Sequence, residues 1–231
     1  MKVGILEAGG PPSDLADRFD GYGDMVLEML GPGFTGRAYD VRAGELPDDP
    51  AECEAWVITG SPSGVYDPDA WIAALMRFVQ EASGHAPMIG ICFGHQLMAQ
   101  AFGGEVINSP KGWGLGLHSY DLTHPAPWMD TAPNVRLAVS HQDQVVAIGP
   151  GAEVIGGSAF TPFGMLAYPG RRAFSIQAHP EFAPDYAMAL IETRRGRALD
   201  EDVADLALAS LGGADDRARV AGWLRRFLMT A

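Results

Sequence analysis

Apolar residues in the first half of this chain gather in short bursts. "KVGILEAG" (2–9) is a compact run stopped by "GGPP", which predicts a strand and then a loop. "DRFDGYGDMVLEML" (17–30) spaces Phe19, Tyr22, Val26 and Met29/Leu30 along one helical face. "GRAYDVRAGELP" (36–47) predicts a second strand with a turn, and "AWVITGSPSGVYD" (55–67) an apolar strand entering a loop of Gly, Ser and Pro. A helix follows in "DPDAWIAALMRFVQEA" (67–82), with Asp67 or Asp69 near its start. "PMIGICFG" (87–94) is a further strand, and "HQLMAQAFGG" (95–104) a helix closed by Gly103 and Gly104. Strands alternating with helices imply parallel pairing in a sheet covered on both faces.

The pattern then changes. "EVINSP", "VRLAVS", "QVVAI", "AEVIGGSAF", "FGMLAYP" and "AFSIQAHP" are short β runs separated by turns, which predicts an antiparallel or mixed extension. From Pro184 onward "DYAMALIETRRGRALD", "EDVADLALASLG" and "DRARVAGWLRRFLMTA" are helical again. No repeat and no linker divides the chain. With 231 residues and 47% hydrophobic content, it suits one α/β domain over 1–231: a core of about 1–185 and a helical C-terminal extension, 186–231.

Charge narrows the function. The formal net charge of -13 argues against a phosphate-backbone binder, so no nucleic acid is expected. No apolar run reaches the ~18 residues of a membrane span, so no membrane is expected either. The two cysteines, Cys53 and Cys92, lack zinc-site spacing, and no P-loop pattern is present; no metal or cofactor is expected. "MKVGILEAGG" reads as a first strand and not as a signal peptide, so a cytoplasmic location with free thiols is the expectation.

One cysteine carries chemistry. Gly90-Ile91-Cys92-Phe93-Gly94 places Cys92 between two glycines where a strand becomes a helix. That is the form of a strained turn that holds out a nucleophile, with the helix N-terminus favouring a thiolate and the Phe93 N–H placed for an oxyanion. A packed structural cysteine is the competing account, and the one adopted for Cys53. A nucleophilic Cys needs a base. His95 follows on the same helix and points along it. In "SIQAHPEF", Pro180 pushes His179 toward an extended backbone, so His179 and Glu181 share a face and the carboxylate can accept the ring N–H.

With both pieces in hand, "GICFGHQ" and "QAHPEF", 87 residues apart from Cys to His, resemble the nucleophile and His/Glu motifs of class I (triad-type) glutamine amidotransferases. "VITGSPSGVYD" resembles that family's oxyanion loop, with Ser61 after Gly60 where Gly is usual. The resemblance covers about residues 40–185 and implies a flavodoxin-like α/β fold, its mostly parallel central sheet flanked by helices. It implies Cys92, His179 and Glu181 as catalytic residues, with Ser61 and Phe93 as oxyanion donors. Gly60, Gln96 and the "SHQD" residues Ser140, Gln142 and Asp143 would contact substrate, Asp143 through an α-amino group, with His141 a packing or pocket residue and not a base. "WGLG" (113–116) and the helical tail suit the stand-alone branch similar to the amidotransferase domain of GMP synthase.

Three functions remain open. The chain is a glutaminase subunit that hydrolyses the γ-carboxamide of glutamine through a Cys thioester, with a separate synthetase subunit as partner. Alternatively it is a free-standing γ-glutamyl peptidase using the same triad. The third account is a non-catalytic binding or regulatory module, against which the intact Cys-His-Glu set argues.

Overall fold

The computed structural model describes residues 1–231. The strands are β1 (Lys2–Glu7), β2 (Thr35–Asp40), β3 (Ala55–Ile58), β4 (Met88–Ile91), β5 (Glu105–Asn108) and β6 (Gly114–Leu122). They continue with β7 (Asn134–His141), β8 (Asp143–Ala147), β9 (Glu153–Gly157), β10 (Met165–Tyr168) and β11 (Ala173–Ile176). The helices are α1 (Tyr22–Leu30), α2 (Ala70–Ala82), α3 (Phe93–Ala101), α4 (Pro184–Arg194), α5 (Glu201–Leu211) and α6 (Arg217–Thr230).

Nine strands form one sheet in the order β2-β1-β3-β4-β11-β10-β9-β6-β7. From β2 to β11 the pairing is parallel. From β11 to β7 it is antiparallel. The expected extension therefore joins the parallel sheet edge-on, and β5 pairs with β8 in a separate antiparallel ribbon. The longest strand, β6, goes unmarked by its hydrophobic pattern: Gly114, Gly116, His118, Ser119 and Asp121 interrupt it, and eight register pairs with β7 hold it.

Alternation along the strands sorts the core. On one face Leu6, Trp56, Ile58 and Met88 pack beneath α2 and α3. On the other Val3, Ile5, Val57, Ile89 and Ile91 pack against α1 and α6. Trp223, Leu224 and Phe227 of α6 belong to that second cluster, so the C-terminal extension completes the core. Tyr186 and Leu190 of α4 join α5 and Tyr22 in a third cluster.

Two local expectations shift. α1 starts at Tyr22, because residues 15–19 close as tight turns onto Pro12 and Leu15, leaving Phe19 outside the helix against Tyr186. Asp69 precedes α2, while the Asp67 carboxylate accepts from the Gly64 N–H and belongs to the loop.

Candidate functional site

The loops after β3, β4 and β11 leave the C-terminal ends of three neighbouring parallel strands, where open α/β sheets place their ligands. They carry Gly60–Ser61, Cys92 and His179–Glu181.

Cys92 has φ 52 and ψ −102, a region that a non-glycine residue occupies at a cost of about 1–3 kcal/mol. Its neighbours hold it there. The Cys92 N–H donates to the Ile176 carbonyl at 2.9 Å, the Gln96 N–H to the Cys92 carbonyl at 3.0 Å, and the Gly94 N–H to the Thr59 carbonyl at 3.2 Å. Both flanking glycines are required for space. A Cβ on Gly90 would lie 2.5 Å from the Gly94 oxygen and 2.6 Å from Met98 Sδ, and one on Gly94 would lie 2.8 Å from Ile58 Cβ. The strained turn expected from the sequence is present.

The side chain of Glu181 accepts from His179 Nδ1 at 2.8 Å, with both groups buried. The contact arises differently from expectation. β11 stops at Ile176, and the Phe182 N–H donates to the His179 carbonyl at 3.4 Å. His179-Pro180-Glu181-Phe182 is thus a turn with proline in its second position, where the ring's fixed φ is favourable. The same turn stacks Phe182 on the imidazole, ring centroids 4.0 Å apart and 5° from parallel. Burial works against a charged imidazole, but the charge interactions and hydrogen bonds of Cys92 and Glu181 outweigh it and push His179 up to about 10.

Gly60, lacking a side chain, leaves space between these groups. A Cβ there would sit 3.1 Å from His179 Cε1 and 3.7 Å from Cys92 Cβ, so both crowd the same point. The Ser61 and Phe93 backbone N–H groups donate to no acceptor in the protein and remain available to a ligand.

Two cavities of about 300 Å³ flank Cys92. One holds Gln96, Ser140, Gln142 and Asp143 in its wall, so four of the residues singled out in the sequence come together there. Here the Asp143 carboxylate accepts from Tyr66 and Asn108, each at 2.9 Å, while its main-chain oxygen accepts from Gln96 Nε2 at 2.9 Å. Gln142 reaches Asn108, and the Ser140 hydroxyl accepts from Arg194 at 2.8 Å. The other cavity contains His179, Phe182, Arg42 and Arg194. A larger hollow of about 690 Å³, beside Trp128 and Phe227, contains none of these groups.

Two further histidines are buried nearby, and His141 shares the wall of the Gln96 and Asp143 cavity. His95 Nδ1 bonds the Ser175 hydroxyl at 2.8 Å; burial, then His141, push it down to about 3. His141 is also pushed down to about 3 by burial, its Nδ1 on the Asp143 carbonyl. Cys53 is a buried free thiol, its pKa raised by burial.

Three site residues escape sequence reasoning. Gln177 Nε2 contacts Cys92 Sγ at 3.6 Å, and Gln177 Oε1 accepts from Gln96 at 3.1 Å. Its position two residues before His179 was the available signal. Arg194, stacked over Trp113 at 5.1 Å, and Arg42 are brought in by α4 and by the turn after β2, and no local pattern marks either.

A thiol on a strained turn, a carboxylate-bound imidazole and two unused amides define a class of protein as well as a site. The model of the class-I glutamine amidotransferase family matches residues 36–193, and the chain belongs to that family. It is 28% identical over 210 residues to gamma-glutamyl peptidase 5 of Arabidopsis thaliana, covering 85% of this chain and 82% of that protein. It is 36% identical over 133 residues to the glutamine-hydrolyzing GMP synthase of Thermus thermophilus, covering 56% of this chain but only 25% of that enzyme. A glutamine amidotransferase from Thermotoga maritima shares the fold, with a TM-score of 0.77 at 18% identity over 98% of this chain and 96% of its own. No helix is long and apolar enough to cross a membrane.

Proposed function

We propose that this protein hydrolyses γ-glutamyl amides, glutamine among them, through a thioester on Cys92, with His179 and Glu181 completing the catalytic set. One observation carries the proposal: the Cys92 turn and the His179–Glu181 pair meet at the point that Gly60 leaves open. Cys92 Sγ attacks the γ-carbonyl carbon, and the Ser61 and Phe93 amides hold the developing oxyanion. The C–N bond breaks as the His179 imidazolium protonates the departing nitrogen. His179 then takes a proton from water, hydroxide attacks the thioester, and glutamate leaves as the thiolate is restored. Glu181 fixes the imidazole's orientation. Asp143 pairs with the α-ammonium of the substrate, alongside Gln96, Ser140 and Gln142.

Purified protein is expected to release glutamate from glutamine or from a γ-glutamyl peptide, and Cys92→Ala to lose that activity. Equal rates for both proteins across a panel of γ-glutamyl compounds would refute the proposal.

As a glutaminase, the protein would pass ammonia to a separate synthetase subunit. The GMP synthase match, confined to a quarter of that enzyme, supports this arrangement. The room beside His179 favours a second reading, a free-standing γ-glutamyl peptidase. Rapid peptide cleavage by the protein alone supports the peptidase; weak glutaminase activity that rises with a synthetase supports the subunit.

A further inference from the structure

The two cavities beside Cys92 differ in one decisive respect: His179 stands in the wall of only one of them. On the thioester mechanism proposed above, which this inference rests on, the imidazolium must reach the nitrogen that leaves. The leaving group therefore departs into the His179 cavity, and the γ-glutamyl portion occupies the cavity of Gln96 and Asp143. The first of these spaces measures about 300 Å³. Ammonia is about the size of water, whose share of liquid volume is about 30 Å³. The cavity has room for an amine carrying a substantial body.

Its wall states what that body is. Pro11, Pro12, Phe182 and Leu190 supply apolar surface. Apart from His179, the charged residues are Arg42 and Arg194, and no Asp or Glu joins them. This contrasts with a chain whose formal net charge is -13. Arg194 also borders the glutamyl cavity and is held by Ser140 and Trp113. Arg42 borders the leaving-group cavity alone, and its guanidinium makes no hydrogen bond or ion pair within the protein. The turn that carries it is fixed, because the Asp40 carboxylate accepts from the Arg42 and Ala43 N–H groups, each at 3.1 Å.

We infer that the leaving group is an α-amino acid or the end of a short peptide, and that Arg42 selects it by pairing with its free carboxylate. Arg42 is then a specificity determinant for what departs from the γ-carbonyl. The nitrogen takes its proton from His179 as the C–N bond breaks, so the product is a free amino acid or peptide amine.

The test measures kcat/KM for glutamate release by the full chain with three substrates: γ-glutamyl-leucine, γ-glutamyl-leucinamide and glutamine. A charge-assisted Arg–carboxylate contact predicts a preference of about tenfold or more for the acid over the amide in the wild type. In Arg42→Ala the acid-to-amide ratio should fall toward one, the acid losing about tenfold more than glutamine does. Arg42→Glu should turn the preference toward the amide. The exposed position of Arg42 keeps all these variants foldable. Cleavage of acid and amide at equal rates by the wild type, or a ratio unchanged in Arg42→Ala, overturns the Arg42 assignment and leaves the thioester mechanism standing. Failure to cleave any of the three overturns both.

Discussion

Replacing Gly94 by alanine puts a methyl group where α3 meets β3. The nearest atom would be the Ile58 carbonyl oxygen, well inside contact, with Ile58 Cβ at 2.8 Å and its carbonyl carbon at 2.9 Å. Helix propensity alone favours the substitution by up to about 1 kcal/mol. Overpacking a filled interior costs about 1–3 kcal/mol, and a clash with backbone belongs at the upper end. The net is a loss of about 2 kcal/mol, roughly 4–8 °C in Tm for a chain of this length. Gly222 in α6 is the internal control. A Cβ there meets only the far ends of two flexible side chains, Arg226 Nη1 at 3.5 Å and Arg225 Nη2 at 3.8 Å, so Gly222→Ala should raise Tm by roughly 2–4 °C. The clash also moves the Phe93 amide and Cys92 away from Gly60. A displacement of about 1 Å should cost about 100-fold in glutamate release. Thermal unfolding and steady-state kinetics on the two variants give the answer. A Gly94→Ala protein that melts at or above the wild type, in step with Gly222→Ala, would refute the close approach of α3 to β3.

Two further outcomes test the site. Ser61→Pro removes the backbone N–H but Ser61→Ala keeps it; kcat should fall about 10²–10³-fold further in the proline variant, and equal kcat values would exclude the Ser61 amide as a donor. The His179 ring, followed by NMR, should titrate near 10, and Cys92→Ala should lower that value by removing the Cys92 sulfur. Because the folded value lies above the ordinary 6.5, this group's stabilisation is complete below about 6.5 and is lost as pH rises through about 10. A wild-type ring that titrates at or below 6.5 would contradict the upward push of Cys92 and Glu181 on His179.

What could be read from the sequence is what short-range pattern encodes. Cys92 between Gly90 and Gly94 announces its turn because the clashes Gly90 avoids are local, with Gly94 and Met98, whereas the crowding of Gly94 by Ile58 comes from a strand 36 residues earlier. The apolar runs of β1, β3, β4 and β11 are legible because strands buried on both faces need no polar alternation. β6 was hidden because polar and glycine positions interrupt its apolar pattern and its stability comes from pairing with β7. The His179–Glu181 contact was legible, but its turn was not: proline at 180 suits the second position of a turn as well as it excludes helix from 179. Arg42 and Arg194 were beyond reach, since only the folded sheet brings residues so far apart to one cavity.

The Cys92 and His179 turns hang from adjacent strands, registered Ile91 to Ile176, yet β5 through β10 lie between them in the chain. Synthesis delivers the thiol first and its partner much later. Until β11 seats beside β4, Cys92 has neither the imidazole nor the carboxylate that holds it. On the proposed mechanism the emerging chain therefore carries an unarmed thiol, and docking of the last parallel strand is the event that arms it. Reactivity is tied to completion of the fold.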